Sequence, residues 1–320
     1  MIKIKILKIL PYWLMSVVLF VALQASVFFI SQYNNSLNRN SSEQSAQPQV
    51  LGASTSVRGE GQPPTAAITK KAEPEFSKIS AKSFLVFDLA TGQELMQKNT
   101  TQKLSIASLT KLLTGLVAYK NTDLNANFTV YHRDTSGIKP VLGLVPGDEV
   151  KALDVFNAML IGSCNDAALT LADFTTRSTQ TNFIDLMNAE AKNLGMASSN
   201  FSNPMGFDSQ YNYSTAADLK ILITETEKLA AFANLGRRTE YEFSGKLNSA
   251  YSTVATNKLL KNHPDILAIK TGFTEGSGGA MATKVKKNNR EIVILVLSSG
   301  DREGDTLKLK DLLDTDFSWN

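Results

Sequence analysis

Residues 83–88 (SFLVFD) and 93–98 (QELMQK) are short, mostly apolar runs on either side of Leu89-Ala90-Thr91-Gly92, the pattern of a strand, a tight turn and a returning strand. A second pair, residues 279–284 and 291–298 (EIVILVLS), flanks Lys287-Asn288-Asn289 and predicts another hairpin near the far end of the chain. Between the two pairs the apolar spacing lengthens to that of helices. Helices are predicted over 109–119, 153–161, 166–174, 182–194, where Gly195 supplies the stop, and 216–233. Strands at both ends with helices between them predict an α+β domain: an antiparallel sheet flanked by helices, with a mostly helical lobe at roughly 112–250. No internal repeat is present.

The first 76 residues follow a different pattern. Residues 1–8 carry Lys3, Lys5 and Lys8, and residues 9–30 then run for 22 positions without a charge. At about 1.5 Å per residue that run is long enough to cross a hydrocarbon layer of about 30 Å, so it reads as a transmembrane helix. The lysines before it, with no basic residue after it until Arg39, place residues 1–8 in the cytoplasm and everything downstream outside. A cleaved signal peptide is the competing reading, but the run is long for one and Leu23-Gln24-Ala25 makes a poor cleavage site. Residues 31–76 turn to Ser, Gln, Asn, Thr, Pro and Gly, with four positive and four negative charges. Such a segment cannot bury enough apolar surface to offset its ordering entropy. It is expected to be a disordered tether, leaving 77–320 as the folded domain.

Composition narrows the chemistry. With 33 Lys and Arg against 30 Asp and Glu the net charge is +3, and the basic residues are scattered, so a nucleic-acid partner is not expected. One cysteine, Cys164, excludes an internal disulfide, and His132 and His263 alone cannot furnish a common zinc site. Neither a P-loop, a G-x-G-x-x-G phosphate cradle nor a G-x-S-x-G nucleophile elbow occurs.

Three short motifs carry reactive groups. Ser108-Leu109-Thr110-Lys111 opens a predicted helix, where a spacing of three puts the serine and the lysine on one face, a turn apart. A lysine there can take the hydroxyl proton once burial or a second cation lowers its pKa; the bland reading is a helix cap and a solvated lysine. Ser163-Cys164-Asn165 falls between two predicted helices, with a hydroxyl to relay a proton and an amide to hydrogen-bond a substrate backbone; it also reads as a pair of caps. Cys164 itself reads as a small packed residue rather than a reactive thiol. Lys270-Thr271-Gly272 reads as a strand edge, whose glycine lets a substrate backbone lie alongside while the lysine and threonine face a carboxylate. Gly276-Ser277-Gly278-Gly279 reads as a bulge or hairpin connection, not a phosphate loop.

S-x-x-K, S-x-N and K-T-G in this order resemble the signature of penicillin-binding proteins and class A β-lactamases. Their surroundings resemble the low-molecular-mass D-alanyl-D-alanine carboxypeptidases, serine peptidases of the S11 type. The resemblance is carried by Ile106-Ala107-Ser108-Leu109-Thr110-Lys111-Leu112-Leu113-Thr114 and by Pro146-Gly147-Asp148 leading to Ile161-Gly162-Ser163-Cys164-Asn165-Asp166. It continues through Phe201-Ser202-Asn203-Pro204-Met205-Gly206, Ser214-Thr215-Ala216-Ala217-Asp218 and Thr256-Asn257-Lys258-Leu259-Leu260, and covers nearly all of 77–316.

The resemblance implies the β-lactamase/D,D-peptidase fold and a serine-type carboxypeptidase that trims peptidoglycan stem peptides through an acyl-enzyme. Ser108 is then the nucleophile, Lys111 the general base and Ser163 the proton relay to the leaving amine. Asn165 binds the substrate backbone, and Lys270 and Thr271, beside Gly272, hold its terminal carboxylate. The backbone N–H groups of Ser108 and Phe273 form the oxyanion hole. The resemblance implies no metal and no organic cofactor, and β-lactams as covalent inhibitors. Combined with the apolar run, it implies a single-pass protein of the cell membrane with its catalytic domain on the extracytoplasmic side.

This chain departs from the family at three places. Cys164 stands where Ala or Gly is usual, and Ser277-Gly278 where Ala-Gly is usual. Many relatives carry a C-terminal sheet domain and anchor, whereas this chain ends at Asn320, so the N-terminal run is expected to replace that anchor. The nearest rival reading is a D,D-endopeptidase, which cuts cross-links with the same residues. A β-lactamase would need a deacylating glutamate, and the corresponding region holds Asn203-Pro204-Met205-Gly206. A non-catalytic wall- or β-lactam-binding protein is disfavoured because every reactive side chain is present.

Overall fold

The computed structural model describes residues 68–131 and 137–319. The predicted cytoplasmic end, the apolar run, the tether up to residue 67 and His132 lie outside the described residues. No described helix is long and apolar enough to cross a membrane.

A short strand β1 (Ile68–Lys70) precedes the first predicted hairpin, β2 (Ser83–Asp88) and β3 (Glu94–Lys98). A 3-10 turn at Ala107–Leu109 leads into α1 (Thr110–Asn121). The small pair β4 (Asn127–Thr129) and β5 (Glu149–Lys151) is followed by α2 (Ala152–Ile161), α3 (Asn165–Thr179), α4 (Phe183–Asn193), α5 (Ala216–Glu227) and α6 (Ala230–Ala233). The hairpin β6 (Glu240–Ser244) and β7 (Ala250–Val254) returns the chain toward β8 (Ile266–Thr274), β9 (Gly278–Lys287) and β10 (Arg290–Ser299). The helix α7 (Arg302–Thr315) and the strand β11 (Phe317–Trp319) complete it.

The main sheet has five antiparallel strands in the order β3-β2-β10-β9-β8, so strands from the two ends of the domain meet at its centre, as the pattern predicted. Both faces are covered. Leu85, Phe87, Val293 and Leu295 pack with α1, α2 and α5, while Phe84, Val86, Ile292 and Ile294 pack with Leu309 and Leu313 of α7. A strand buried on both faces needs no polar alternation, and β2 is accordingly an almost unbroken apolar run. This leaves β8 as an edge strand, open on one side where it passes the nucleophile turn.

Three expectations are corrected. Residues 68–76, expected to belong to the tether, are part of the folded domain: β1 pairs with β11, Ile68 is buried, and Phe76 meets Phe84 edge-on at 4.9 Å. Isolated in sequence, those few apolar residues look like tether; they are ordered because a second sheet edge at the far end of the chain accepts them. The helix predicted over 216–233 is two helices, α5 and α6, broken at Lys228 and Leu229. The break turns Phe232 onto Phe156, with ring centroids 5.0 Å apart, and onto Gly115, where an added Cβ would come within 3.1 Å of its ring. The helical lobe also contains β4–β5 and β6–β7, and the latter hairpin extends past residue 250. It docks by phenol groups: Tyr241 donates to Asp154 at 2.6 Å, and Tyr251 donates to Asp148 at 2.7 Å.

A fragment of residues 77–320 is expected to fold but to be less stable than one of residues 61–320, by about 1.5–3 kcal/mol for loss of the buried Ile68 alone. Urea denaturation of the two fragments measures the difference. Equal stabilities would mean that the β1–β11 pair contributes nothing.

Candidate active site

Ser108 is the middle residue of the 3-10 turn, half-buried, and Lys111 lies on the first turn of α1 with its side chain fully buried. The turn is tight: Ala107 adopts φ +47° although it carries a Cβ. Such a conformation costs roughly 1–3 kcal/mol and persists only where the surroundings fix it. Here the surroundings are two glycines. Gly206, at φ +90°, presses against the Ala107 carbonyl so closely that any side chain at 206 would collide with it. Gly272 lies on the other side, where a Cβ would sit 2.7 Å from the Ser108 nitrogen.

Three oxygens surround the Lys111 amine. Nζ is 2.9 Å from Ser108 Oγ, 2.7 Å from Asn165 Oδ1 and 2.6 Å from the Met205 carbonyl. Burial in the first place, and repulsion from Lys270 in the second, hold its pKa well below the ordinary lysine value. A neutral amine has two hydrogens and one lone pair. Asn165 Oδ1 and the Met205 carbonyl can only accept, so they take the two hydrogens. The lone pair is left for the Ser108 hydroxyl, which is the orientation a general base needs.

Ser163 and Asn165 sit at the corner between α2 and α3. Ser163 is buried and adopts φ +60°, a second strained non-glycine position beside the reactive residues. Asn165, expected to bind the substrate backbone, has protein partners for its whole amide. While its oxygen holds Lys111, its amide donates to the Ile138 and Lys139 carbonyls at 2.8 and 2.9 Å. Asp166 grips the same loop from its other end, accepting the Leu142, Gly143 and Leu144 N–H groups.

Lys270, Thr271 and Gly272 lie on β8, as predicted for an edge strand. A bulge between Ala268 and Lys270 inserts one extra residue against β9. The bulge shifts the alternation so that Lys270 and Gly272 stand opposite Ala282 and Ala280, on the face that packs with the helices and the nucleophile turn. The Lys270 amine donates to the Thr271 carbonyl at 3.0 Å, and the Thr271 hydroxyl pairs with that of Thr256. Burial, with the Arg302 guanidinium adding repulsion, brings Lys270 to about 7. The carbonyl of Gly272 accepts Arg302 Nη1 at 2.7 Å. The Gly272–Phe273 peptide is planar and trans, so the Phe273 N–H points away from Arg302. Gly276 and Ser277 form the β8–β9 connection, as read from the sequence.

Sequence reasoning missed four participants. The Met205 carbonyl has no side-chain signature, and only the neighbouring Gly206 marks the close approach. Asp166 adjoins the S-x-N motif and could have been suspected from that position. Arg302 and Asp208 act from far along the chain, and no local pattern announces either.

Cys164 is buried, and burial raises its thiol pKa. It is expected to resist a thiol-reactive aromatic disulfide in the native protein and to react fully in denaturant, measured by absorbance. Stoichiometric labelling of the native protein within minutes would contradict its packed role.

The family model of D-alanyl-D-alanine carboxypeptidases matches residues 68–300. The chain is 28% identical over 244 residues to the D-alanyl-D-alanine carboxypeptidase DacF of Bacillus subtilis, covering 74% of this chain and 62% of DacF. It is 30% identical over 240 residues to a D-alanyl-D-alanine endopeptidase of Escherichia coli, covering 73% of this chain and 76% of that one. The chain thus spans about three fifths of the length of DacF. In fold it is similar to penicillin-binding protein D2 of Listeria monocytogenes in its ampicillin-bound form, with a TM-score of 0.63 and 24% identity over 75% of this chain and 99% of that one. With a family match over residues 68–300, and with the serine, lysine and asparagine of the first two motifs in direct contact, the chain belongs to the D-alanyl-D-alanine carboxypeptidase family, S11.

Proposed function

We propose that the protein is a serine-type D-alanyl-D-alanine carboxypeptidase that trims peptidoglycan stem peptides. The observation that carries this reading is the buried Lys111 amine within hydrogen-bond distance of Ser108 Oγ, Asn165 Oδ1 and the Met205 carbonyl, an arrangement that leaves the lone pair of a neutral amine for Ser108. Ser108 Oγ attacks the carbonyl between the last two D-alanines as its proton passes to Lys111. The tetrahedral oxyanion is received by the Ser108 and Phe273 N–H groups. Ser163 carries a proton to the departing D-alanine nitrogen as the peptide bond breaks, leaving the stem esterified to Ser108. A water molecule, deprotonated by Lys111, then hydrolyses the ester. Lys270, still protonated while Lys111 is neutral, holds the substrate carboxylate with Thr271, and the repulsion between the two lysines favours the state in which only one of them is charged.

A β-lactam presents an amide carbonyl and a carboxylate in the same relation, so it acylates Ser108 by opening its ring; the ampicillin-bound relative of the same fold supports this partner. The D,D-endopeptidase from Escherichia coli supports a second reading with the same residues, in which the bond cut is a cross-link. The charge-free run at residues 9–30, with lysines before it, supports a single-pass membrane anchor and an extracytoplasmic catalytic domain.

Intact-mass spectrometry after incubation with a penicillin is expected to show a long-lived adduct of one drug mass, absent in Ser108→Ala. Purified stem pentapeptide should lose one D-alanine; release of monomers from a cross-linked dimer without that loss would favour the endopeptidase. An adduct that clears within seconds while drug is consumed would make the protein a β-lactamase, and no adduct on folded protein would reject the serine mechanism. Lys111→Ala should slow acylation by about 10²–10⁴-fold with the fold retained. The acylation rate should rise with pH as Lys111 loses its proton and fall as Lys270 loses its own near 7. A rate that climbs through pH 9 without a falling limb would remove Lys270 from carboxylate binding.

A further inference from the structure

Asp208 lies just past the Asn203-Pro204-Met205-Gly206 segment, at the exposed rim of the cleft. Its carboxylate accepts only, and three donors from two distant segments converge on it. Oδ1 accepts the Ser105 hydroxyl at 2.9 Å and the Thr274 hydroxyl at 2.7 Å, and Oδ2 accepts the Gly276 N–H at 3.0 Å. Burial opposes its charge, but the hydrogen bonds from Thr274, Ser105 and Gly276 outweigh it and hold its pKa below the usual value. The fit is close on the Gly276 side, where an added Cβ would lie 2.8 Å from the Asp208 carboxylate. An exposed loop carboxylate usually faces water; this one fastens two parts of the site together.

The two parts are the ones that carry the oxyanion donors. Ser105 is three residues ahead of Ser108 on the approach to the nucleophile turn. Thr274 follows Phe273 at the end of β8. Phe273 is 67% exposed, so apolar burial does little to hold it, and it belongs to an edge strand. Its segment is held from one side by its pairing with Gly278–Ala280 of β9, and polar contacts flank it along the chain: Arg302 on the Gly272 carbonyl before it, and Asp208 on the Thr274 hydroxyl after it. The Thr274 oxygen also receives the Ser277 N–H at 3.0 Å, and its single proton has two acceptors at 2.7 Å, Asp208 Oδ1 and Ser277 Oγ, of which the charged carboxylate is the stronger.

We propose that Asp208 is a positioning residue for the oxyanion hole: it sets the separation between the segment bearing the Ser108 N–H and the segment bearing the Phe273 N–H. Its effect is on the acylation step and not on initial binding, because the charge that the two N–H groups receive develops only in the transition state. This rests on the proposed acylation of Ser108.

The test is stopped-flow acylation of the full chain by a fluorescent penicillin, resolved into the initial binding constant and the first-order acylation rate, beside thermal melting. Losing one oxyanion donor outright costs about 10²–10³-fold, so loosening one should cost about 10-fold or more. Asp208→Ala is expected to lower the acylation rate by that amount with little change in binding. Thr274→Val, which removes only the hydroxyl, should reproduce the loss, Thr274→Ser should restore the rate, and Asp208→Ala with Thr274→Val should be no slower than the worse single variant. Wild-type acylation rates in both Asp208→Ala and Thr274→Val, whatever their melting temperatures, would overturn the inference. If Asp208→Ala does not fold, Thr274→Val and Thr274→Ser decide alone. A wild-type protein that is never acylated would defeat the proposed function and this inference together, whereas normal acylation in all variants would defeat this inference only.

Discussion

A lysine side chain with no exposure to water and, among the described residues, no carboxylate paired with it is the constraint on which the rest of the site depends. Burying an ammonium ion without a counter-charge is costly, and a lysine escapes the cost by giving up its proton. The same desolvation that would destabilise an ordinary core turns Lys111 into a base. Three oxygens around Nζ then decide where its lone pair points. A carboxylate in place of Asn165 would have kept the amine charged; an amide oxygen satisfies a hydrogen without stabilising the cation. The second lysine reinforces the choice, since two cations so close favour the state in which only one of them keeps its proton.

Burying Lys111 needs backbone from four places, and the fold is organised to bring them together. α1 supplies the lysine, the α2–α3 corner supplies Asn165, the loop through Gly206 supplies the Met205 carbonyl, and β8 closes the remaining side with Gly272. Close approach explains the two glycines, where any side chain would strike the nucleophile turn. Strain at Ala107 and Ser163 marks the same spot, and the sheet behind it is rigid because it is packed on both faces. The nucleophile turn is thus held by contacts from sequence-distant elements, and not by the helix it leads into.

The sheet was legible from local pattern because its central strands are apolar on both faces and its hairpins have short polar turns. Helices α1 to α4 were legible for the same reason, through period and stop signals such as Gly195. The missed features share another cause: their stabilising partner is far away in sequence. β1 needs β11, the break before α6 needs Phe156 and Gly115, and the β6–β7 hairpin needs Asp148 and Asp154 to dock its phenols. Within the site, the motif side chains Ser108, Lys111 and Asn165 were named from sequence and are in contact. What sequence could not supply was the backbone carbonyl of Met205, the gripping of the 138–144 loop by Asn165 and Asp166, and the long-range contacts of Arg302 and Asp208. Carbonyls carry no residue identity, and a rim carboxylate looks like any solvated aspartate until its donors are placed around it.

The account stands or falls on the protonation state of Lys111. Lysine side chains labelled with 13C at Cε and 15N at Nζ, titrated by NMR with Lys111→Met to assign the signal, measure it without reference to any substrate. The account predicts a Lys111 amine that loses its proton well below the ordinary lysine value, so that its resonance is already that of a neutral amine across the range in which a free lysine titrates. A Lys111 signal that titrates near its ordinary 10.5 would contradict it, since a charged Lys111 could not accept the Ser108 proton.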